Sequence, residues 1–184
     1  MSKALIIVDV QNDYFPNGKC ELYQAQSALN TVWELLKYFR GKELPVYYIQ
    51  HVSAKDAAFF APDTEGVNIH EGIKPLDTEK VIIKHYPNSF FETALQDELK
   101  KTGVTDVVIC GMMTHMCIDT TVRAAKDFGY NVTLISDACA TKDLKWNGEN
   151  IPATVVQNVY MASLHGKFAN VITGEEYFRM ADRM

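Results

Sequence analysis

Cys117, Asp9 and Lys84 are the residues of this chain whose types and positions could do chemistry together. Residues 106–110 form a short apolar, β-branched run, as a buried parallel strand would. Gly111 breaks the run, and Thr114 supplies a hydroxyl of the helix-capping kind. Met116, Thr120, Ala124 and Phe128 then recur at helical spacing, and Gly129 closes the segment as a C′ glycine. This stretch predicts a strand, a tight turn and a helix, with Cys117 in the first helical turn. Unpaired N–H groups and the positive end of the helix dipole favour a thiolate there. The same N–H groups can hold an oxyanion when a carbonyl is attacked. A free cysteine is otherwise a small core hydrophobe. A base and a cation elsewhere in the chain decide between these readings.

Both are present. Asp9 interrupts the apolar run at 4–10, ALIIVDV, close to its end. Lys84 lies near the end of another, KVIIKH at 80–85. Asp9 can accept the thiol proton, the more readily if it is buried at its strand end. Lys84 can hold both anions electrostatically, keeping the sulfur ionised and the transfer inexpensive. The protonated carboxyl could then serve a leaving amine and later activate water. The reaction class is acyl transfer to water through a thioester. Each residue has an ordinary counterpart: Asp9 and Lys84 as a buried structural ion pair, or Lys84 simply solvated.

These three residues need a scaffold that brings strand ends together. An amphipathic helix is predicted over 25–40 from Leu29, Val32, Trp33, Leu36 and Phe39, ending at Gly41, with a strand at 45–50. Residues 51–78 show no regular pattern, and a connection of that length commonly walls a pocket. A helix follows the 80–85 strand, capped by Asn88 or Ser89 and lined by Phe91, Leu95 and Leu99 up to Gly103. A strand at 131–135, a loop containing Trp146 and Gly148, and a helix from Pro152 to about His165 come next. A strand at 168–173, a helical turn at 174–179 and an exposed tail complete the chain. Strand and helix alternate, so the expected fold is a three-layer α/β/α sandwich around a mostly parallel six-stranded sheet, one domain over 1–184. Ligands of such sheets bind beyond the carboxyl ends of the strands. Asp9, Lys84 and Cys117 fall at those ends or just after them.

With 184 residues, 47% hydrophobic and 22% charged, the chain can bury a core without staples. A net charge of −5 and no basic block argue against nucleic acid or an anionic membrane as partner. Met1-Ser2-Lys3 runs straight into the first strand, with no signal or transit sequence expected, and no apolar run reaches membrane-spanning length. Four cysteines, at 20, 110, 117 and 139, show neither a CxxC pair nor metal-ligand spacing. A reduced, cytosolic protein is expected.

The segments ALIIVDVQNDYF, VIIKHYPNSFF and GMMTHMCIDTTVRAAKDFGY, with DACAT at 137–141, resemble the isochorismatase-like cysteine hydrolases over nearly the whole chain. The resemblance implies a Rossmann-like sheet of order 3-2-1-4-5-6 and catalytic Asp9, Lys84 and Cys117. It also implies a non-proline cis peptide between Met112 and Met113, in a turn that aims the N–H groups of Met113 and Cys117 at a substrate oxyanion. Isochorismate-cleaving relatives lack the cysteine, so its presence favours amide hydrolysis. Nicotinamidase-type relatives carry an Asp-x-His metal motif where this chain reads Ile49-Gln50-His51. With the carboxylate missing, His51 and His70 alone make a poor divalent site, and neither metal nor cofactor is expected.

The expected substrate is a small amide, in a pocket drawn from Gln11, Asp13, Phe15, His51, Phe59, Phe60, Phe90, Met112 and His115. Relatives assemble, so a homo-oligomer, dimer or tetramer, is expected. Two rival readings stand: a vinyl-ether or ester hydrolase using Asp9 and Lys84, and a small-molecule-binding module in which those two are a silent ion pair. Across two strand spacings, about 9.6 Å, twist or a bend must bring Lys84 to Asp9.

Overall fold

Strand β1 (Ser2–Val8) is apolar throughout its second half because both of its faces are covered. Leu5 and Ile7 enter one core, while Ala4, Ile6 and Val8 enter another. Strand β4 (Val104–Met112) divides the same way, with Val108, Cys110 and Met112 on the first face and Val107 and Ile109 on the second. That alternation between two dry faces is why neither strand shows a polar period. The computed structural model describes residues 2–181, and Met1 and the tail beyond 181 lie outside the described residues.

The sheet has six strands in the order β3-β2-β1-β4-β5-β8, with every pairing parallel. Its other members are β2 (Val46–His51), β3 (Lys80–Lys84), β5 (Asn131–Ala140) and β8 (Asn170–Ile172). Helices α1 (Ala25–Gly41) and α5 (Gly174–Ala181) cover the first face through Leu29, Val32, Leu36, Phe39 and Tyr177. Helices α2 (Leu95–Lys101), α3 (Asp119–Asp127) and α4 (Ala153–Leu164) cover the second through Leu95, Leu99, Val122, Ala125 and Leu164. This is the expected three-layer sandwich and strand order. β1 leads to β2 on one side while β4 leads to β5 on the other, so the crevice between β1 and β4 is the topological switch point.

Several local expectations are corrected. Thr114 caps no helix: residues Thr114–Ile118 form a widened π turn in which the N–H of Ile118 donates to Met113 O, and α3 begins only at Asp119. The face Met116, Thr120, Ala124, Phe128 is not the inner one. Met116 and Phe128 are exposed, and Cys117, Ile118, Thr121, Val122 and Ala125 are buried instead. The extra residue of a π turn rotates the face that follows it, which a uniform helical period cannot register. Asn88 and Ser89 do not cap α2, which starts at Leu95, and Phe91 is exposed. Ser89 is spent on a buried hydrogen bond to Thr121.

The 144–151 loop is a two-stranded hairpin, β6 (Leu144–Trp146) and β7 (Glu149–Ile151), turned at Asn147-Gly148. Asn-Gly at such a position is a hairpin signal. β5 runs five residues past its expected end, and β8 is shorter than 168–173. The 51–78 connection carries two short 3₁₀ turns, Glu65–Val67 and Glu71–Ile73. Gly129 does close α3, with φ of 90°. Its N–H donates to Lys126 O while that of Tyr130 donates to Ala125 O, the paired bonds of a Schellman end.

Candidate active site

Asp9 is the residue immediately beyond β1, in a left-handed conformation with φ of 51° that turns the chain out of the sheet. Gly111 pairs with Val8 across β1 and β4. A Cβ at Gly111 would strike the Val8 carbonyl, so only glycine lets the two strand ends close up here. The Met112–Met113 peptide is cis, and the π turn that follows carries Cys117.

Lys84 ends β3, in register with His51 at the end of β2. Its side chain passes over His51 to reach Asp9, with Nζ 2.8 Å from Asp9 Oδ2. Thus the two-strand gap is closed by the outward turn at Asp9 and the full reach of the lysine. The three N–H bonds of the ammonium find His51 Nδ1 at 3.1 Å, Tyr86 O at 3.0 Å and Cys117 Sγ at 3.2 Å. Asp9 thus faces the ammonium at salt-bridge distance, with both of its carboxylate oxygens buried. Exposure is 0% for Asp9, 1% for Lys84 and 5% for Cys117.

The electrostatics follow from this burial. Desolvation opposes the Lys84 ammonium, but attraction to Asp9 and Cys117 outweighs it, and its pKa is raised. Burial, and then Asp9, push the Cys117 thiol well above its ordinary range, and Lys84 pulls it down by less. This dry, carboxylate-flanked position opposes the thiolate that the polarity of a helical first turn would favour. Burial and then Lys84 lower His51, keeping it a neutral imidazole whose Nδ1 accepts from the ammonium.

Asp9, His51 and Cys117 each offer an atom within 4.8 Å of the others, a spacing that could surround a metal ion. The Lys84 ammonium already sits against all three, so a cation there would have to displace it. His70 does not join them. Its Nδ1 accepts from Gly72 N, and its ring packs 4.3 Å from that of Phe15.

The other pocket candidates separate. Gln11 is buried as a brace, donating to His51 O and Val67 O and accepting from His51 N. Asp13 accepts from the N–H groups of Lys19 and Phe60, fixing its own loop against the 51–78 connection. Phe59 and Phe60 pack with Tyr14, Phe60 also near His51. Met112 is buried at the end of β4, and His115 Nδ1 lies 2.6 Å from Thr141 Oγ1. Phe90 turns elsewhere: its ring packs against Phe128 and Tyr130, at the end of α3 away from Cys117. Tyr14 was missed. Burial and then the nearby Cys117 and Asp9 hold its phenol well above the usual range, which sets it beside the site. The Tyr86 carbonyl was missed too, since a main-chain acceptor leaves no mark in a sequence.

An acid, an ammonium and a sulfur thus meet at the switch-point crevice of a doubly wound sheet. The chain belongs to the isochorismatase family of hydrolases, matching the isochorismatase domain over residues 3–176. It is 47% identical over 180 residues to the isochorismatase family protein YddQ of Bacillus subtilis (strain 168), covering 97% of this chain and all of that one. Nicotinamidase 3 of Arabidopsis thaliana is 28% identical over 151 residues, covering 75% of this chain and 73% of that one. The crystal structure of an isochorismatase from Pseudomonas putida KT2440 superposes with a TM-score of 0.90 at 34% identity, covering 95% of this chain and 89% of that one. No helix among the described residues is long and apolar enough to cross a membrane.

Three histidines titrate below their ordinary value: His51, His70 and His115, each chiefly through burial. A histidine depressed in the fold binds fewer protons there than in the unfolded chain, so stability rises with pH in that window. The melting temperature is expected to climb as pH rises from about 5 to just above the free histidine value of about 6.5, then level off. A flat profile over that range, read by differential scanning calorimetry, overturns the assignment.

Proposed function

We propose that the protein is a cysteine hydrolase that cleaves the C–N bond of a small amide through a thioester on Cys117, without a metal. The observation that carries this reading is the Cys117 sulfur 3.2 Å from Lys84 Nζ, which is itself 2.8 Å from Asp9 Oδ2. Transfer of the thiol proton to Asp9 exchanges one anion for the other beside the same ammonium. The buried cluster keeps its net charge, so the transfer avoids the cost of isolating a charge in a dry site.

The thiolate then attacks the amide carbonyl, and the N–H groups of Met113 and Cys117 receive the oxyanion. As the tetrahedral intermediate collapses, the C–N bond breaks and Asp9 returns its proton to the leaving amine. Asp9 next takes a proton from water, which attacks the thioester. The acid leaves and the thiol is restored. Lys84 stabilises whichever of the two groups is charged, and His51 orients Lys84. The nicotinamidase relative, named for an amide, supports the substrate class.

Tyr14, Phe60 and Met112 would supply apolar walls for the acyl part. Four free cysteines suit a reducing compartment, and the cytosol is part of this reading. So is assembly into a homo-oligomer, dimer or tetramer. A panel of small primary amides assayed for ammonia, with intact-protein mass spectrometry after rapid acid quench, tests the chemistry. An acyl mass on Cys117 that appears and decays with turnover is expected. Ammonia release with the sulfur never modified would overturn the thioester.

A further inference from the structure

We infer that Gln157 and Thr114 are positioning residues: a hydrogen-bond clamp from α4 sets where the turn holds Met113 N–H and the Cys117 sulfur. The inference rests on the cysteine-hydrolase reading above and adds two residues to it. Thr114 is fully buried, between Met113 and Cys117 in sequence. Its hydroxyl makes no helix cap. Instead Oγ1 lies 2.6 Å from Gln157 Oε1 and 3.2 Å from Ala140 O, an O–H shared between two acceptors.

The Gln157 amide is itself oriented. Its Nε2 donates to Ser136 O at 3.0 Å, which leaves Oε1 as the atom facing Thr114. Ser136 and Ala140 both belong to β5, so one buried hydroxyl ties the turn to the sheet and to α4 together. The turn needs an outside tie. It is a single π turn, in which Met113 O accepts from both Met116 and Ile118 rather than heading a regular helical ladder. Such turns are less restrained from within and recur at functional positions. Gln157 also forms part of the wall of a cavity of about 520 Å³ that contains none of Asp9, Lys84 and Cys117. Its side chain can therefore be changed without opening the core.

A displacement near 1 Å at such a turn is enough to cost about 10²-fold in rate. The test compares Gln157→Met and Thr114→Val, which keep shape and lose the hydrogen bonds, with Thr114→Ser, which keeps the hydroxyl. Two readouts are taken: kcat and KM on the best amide of the panel, and the rate of Cys117 alkylation by iodoacetamide, followed by peptide mass spectrometry. Loosening the turn carries the sulfur away from the Lys84 ammonium that eases its ionisation. Expected are a fall in kcat of about 10- to 100-fold with KM changed less than about threefold, and alkylation slowed at least about fivefold. Thr114→Ser should stay within about twofold of the parent on both.

Gln157→Met with parental kcat and parental alkylation overturns the clamp, and it decides alone if Thr114→Val is insoluble. Thr114→Ser falling as far as Thr114→Val overturns it as well. A parent that hydrolyses no amide, with alkylation still slowed in the two variants and restored in Thr114→Ser, defeats the proposed function and leaves the clamp standing.

Discussion

Cys117→Ala is expected to lose amide turnover by about 10⁴-fold or more while remaining folded. On the proposed mechanism the sulfur is the group that bonds to the carbonyl and is then displaced by water. Asp9 and Lys84 would persist in the variant as a charged pair with no nucleophile to deprotonate. Cys117→Ser should be nearly as inactive, because an alcohol yields its proton far less readily than a thiol to a carboxylate. The measurement is kcat on purified protein, with a melting curve to show that the fold survives. Undiminished turnover in Cys117→Ala would transfer the chemistry to Asp9 and Lys84 and favour a vinyl-ether or ester hydrolase. Parental protein that turns over nothing, with Cys117 alkylated no faster than Cys20, would favour a binding module.

Lys84→Met is expected to damage stability as well as activity. It would leave the Asp9 carboxylate at 0% exposure without a counter-charge. Breaking a buried pair from one side costs about 3–5 kcal/mol, because the remaining ion stays desolvated. For a chain of this size that corresponds to a melting temperature lower by roughly 10 °C or more. The double variant Asp9→Asn, Lys84→Met should recover most of the lost stability, since no charge is then stranded, and none of the activity. Chemical denaturation of parent, single and double variants reads the coupling. A single variant as stable as the parent would mean that Asp9 is not ionised beside Lys84 at rest.

The parts of the fold legible in the sequence are those dictated by burial on both faces of a strand. The runs ending at Asp9 and Lys84 announce their strands, and the turn after β4 is announced by Gly111. Less legible was whatever depends on one extra residue or on main-chain atoms. A π turn at Thr114–Ile118 displaces the inner face of α3 from Phe128 to Ala125, and no helical period carries that shift. Gln11 and Asp13 look like ligand-binding groups by type, yet their polar atoms are consumed by loop N–H and carbonyl groups. Phe90, a pocket candidate in the sequence, instead packs its ring against Phe128 at the end of α3. The dehydration that opposes a thiolate at Cys117 was not legible either, because a sequence shows helix polarity and not the burial of one side chain. Gln157 could have been found from no signal except its place on a helix docked against the turn.

The near-complete enclosure of the sulfur has a kinetic corollary. If Cys117 is the nucleophile, a substrate must reach a sulfur only 5% exposed, so its bulk and outline would be screened on entry, before any bond forms.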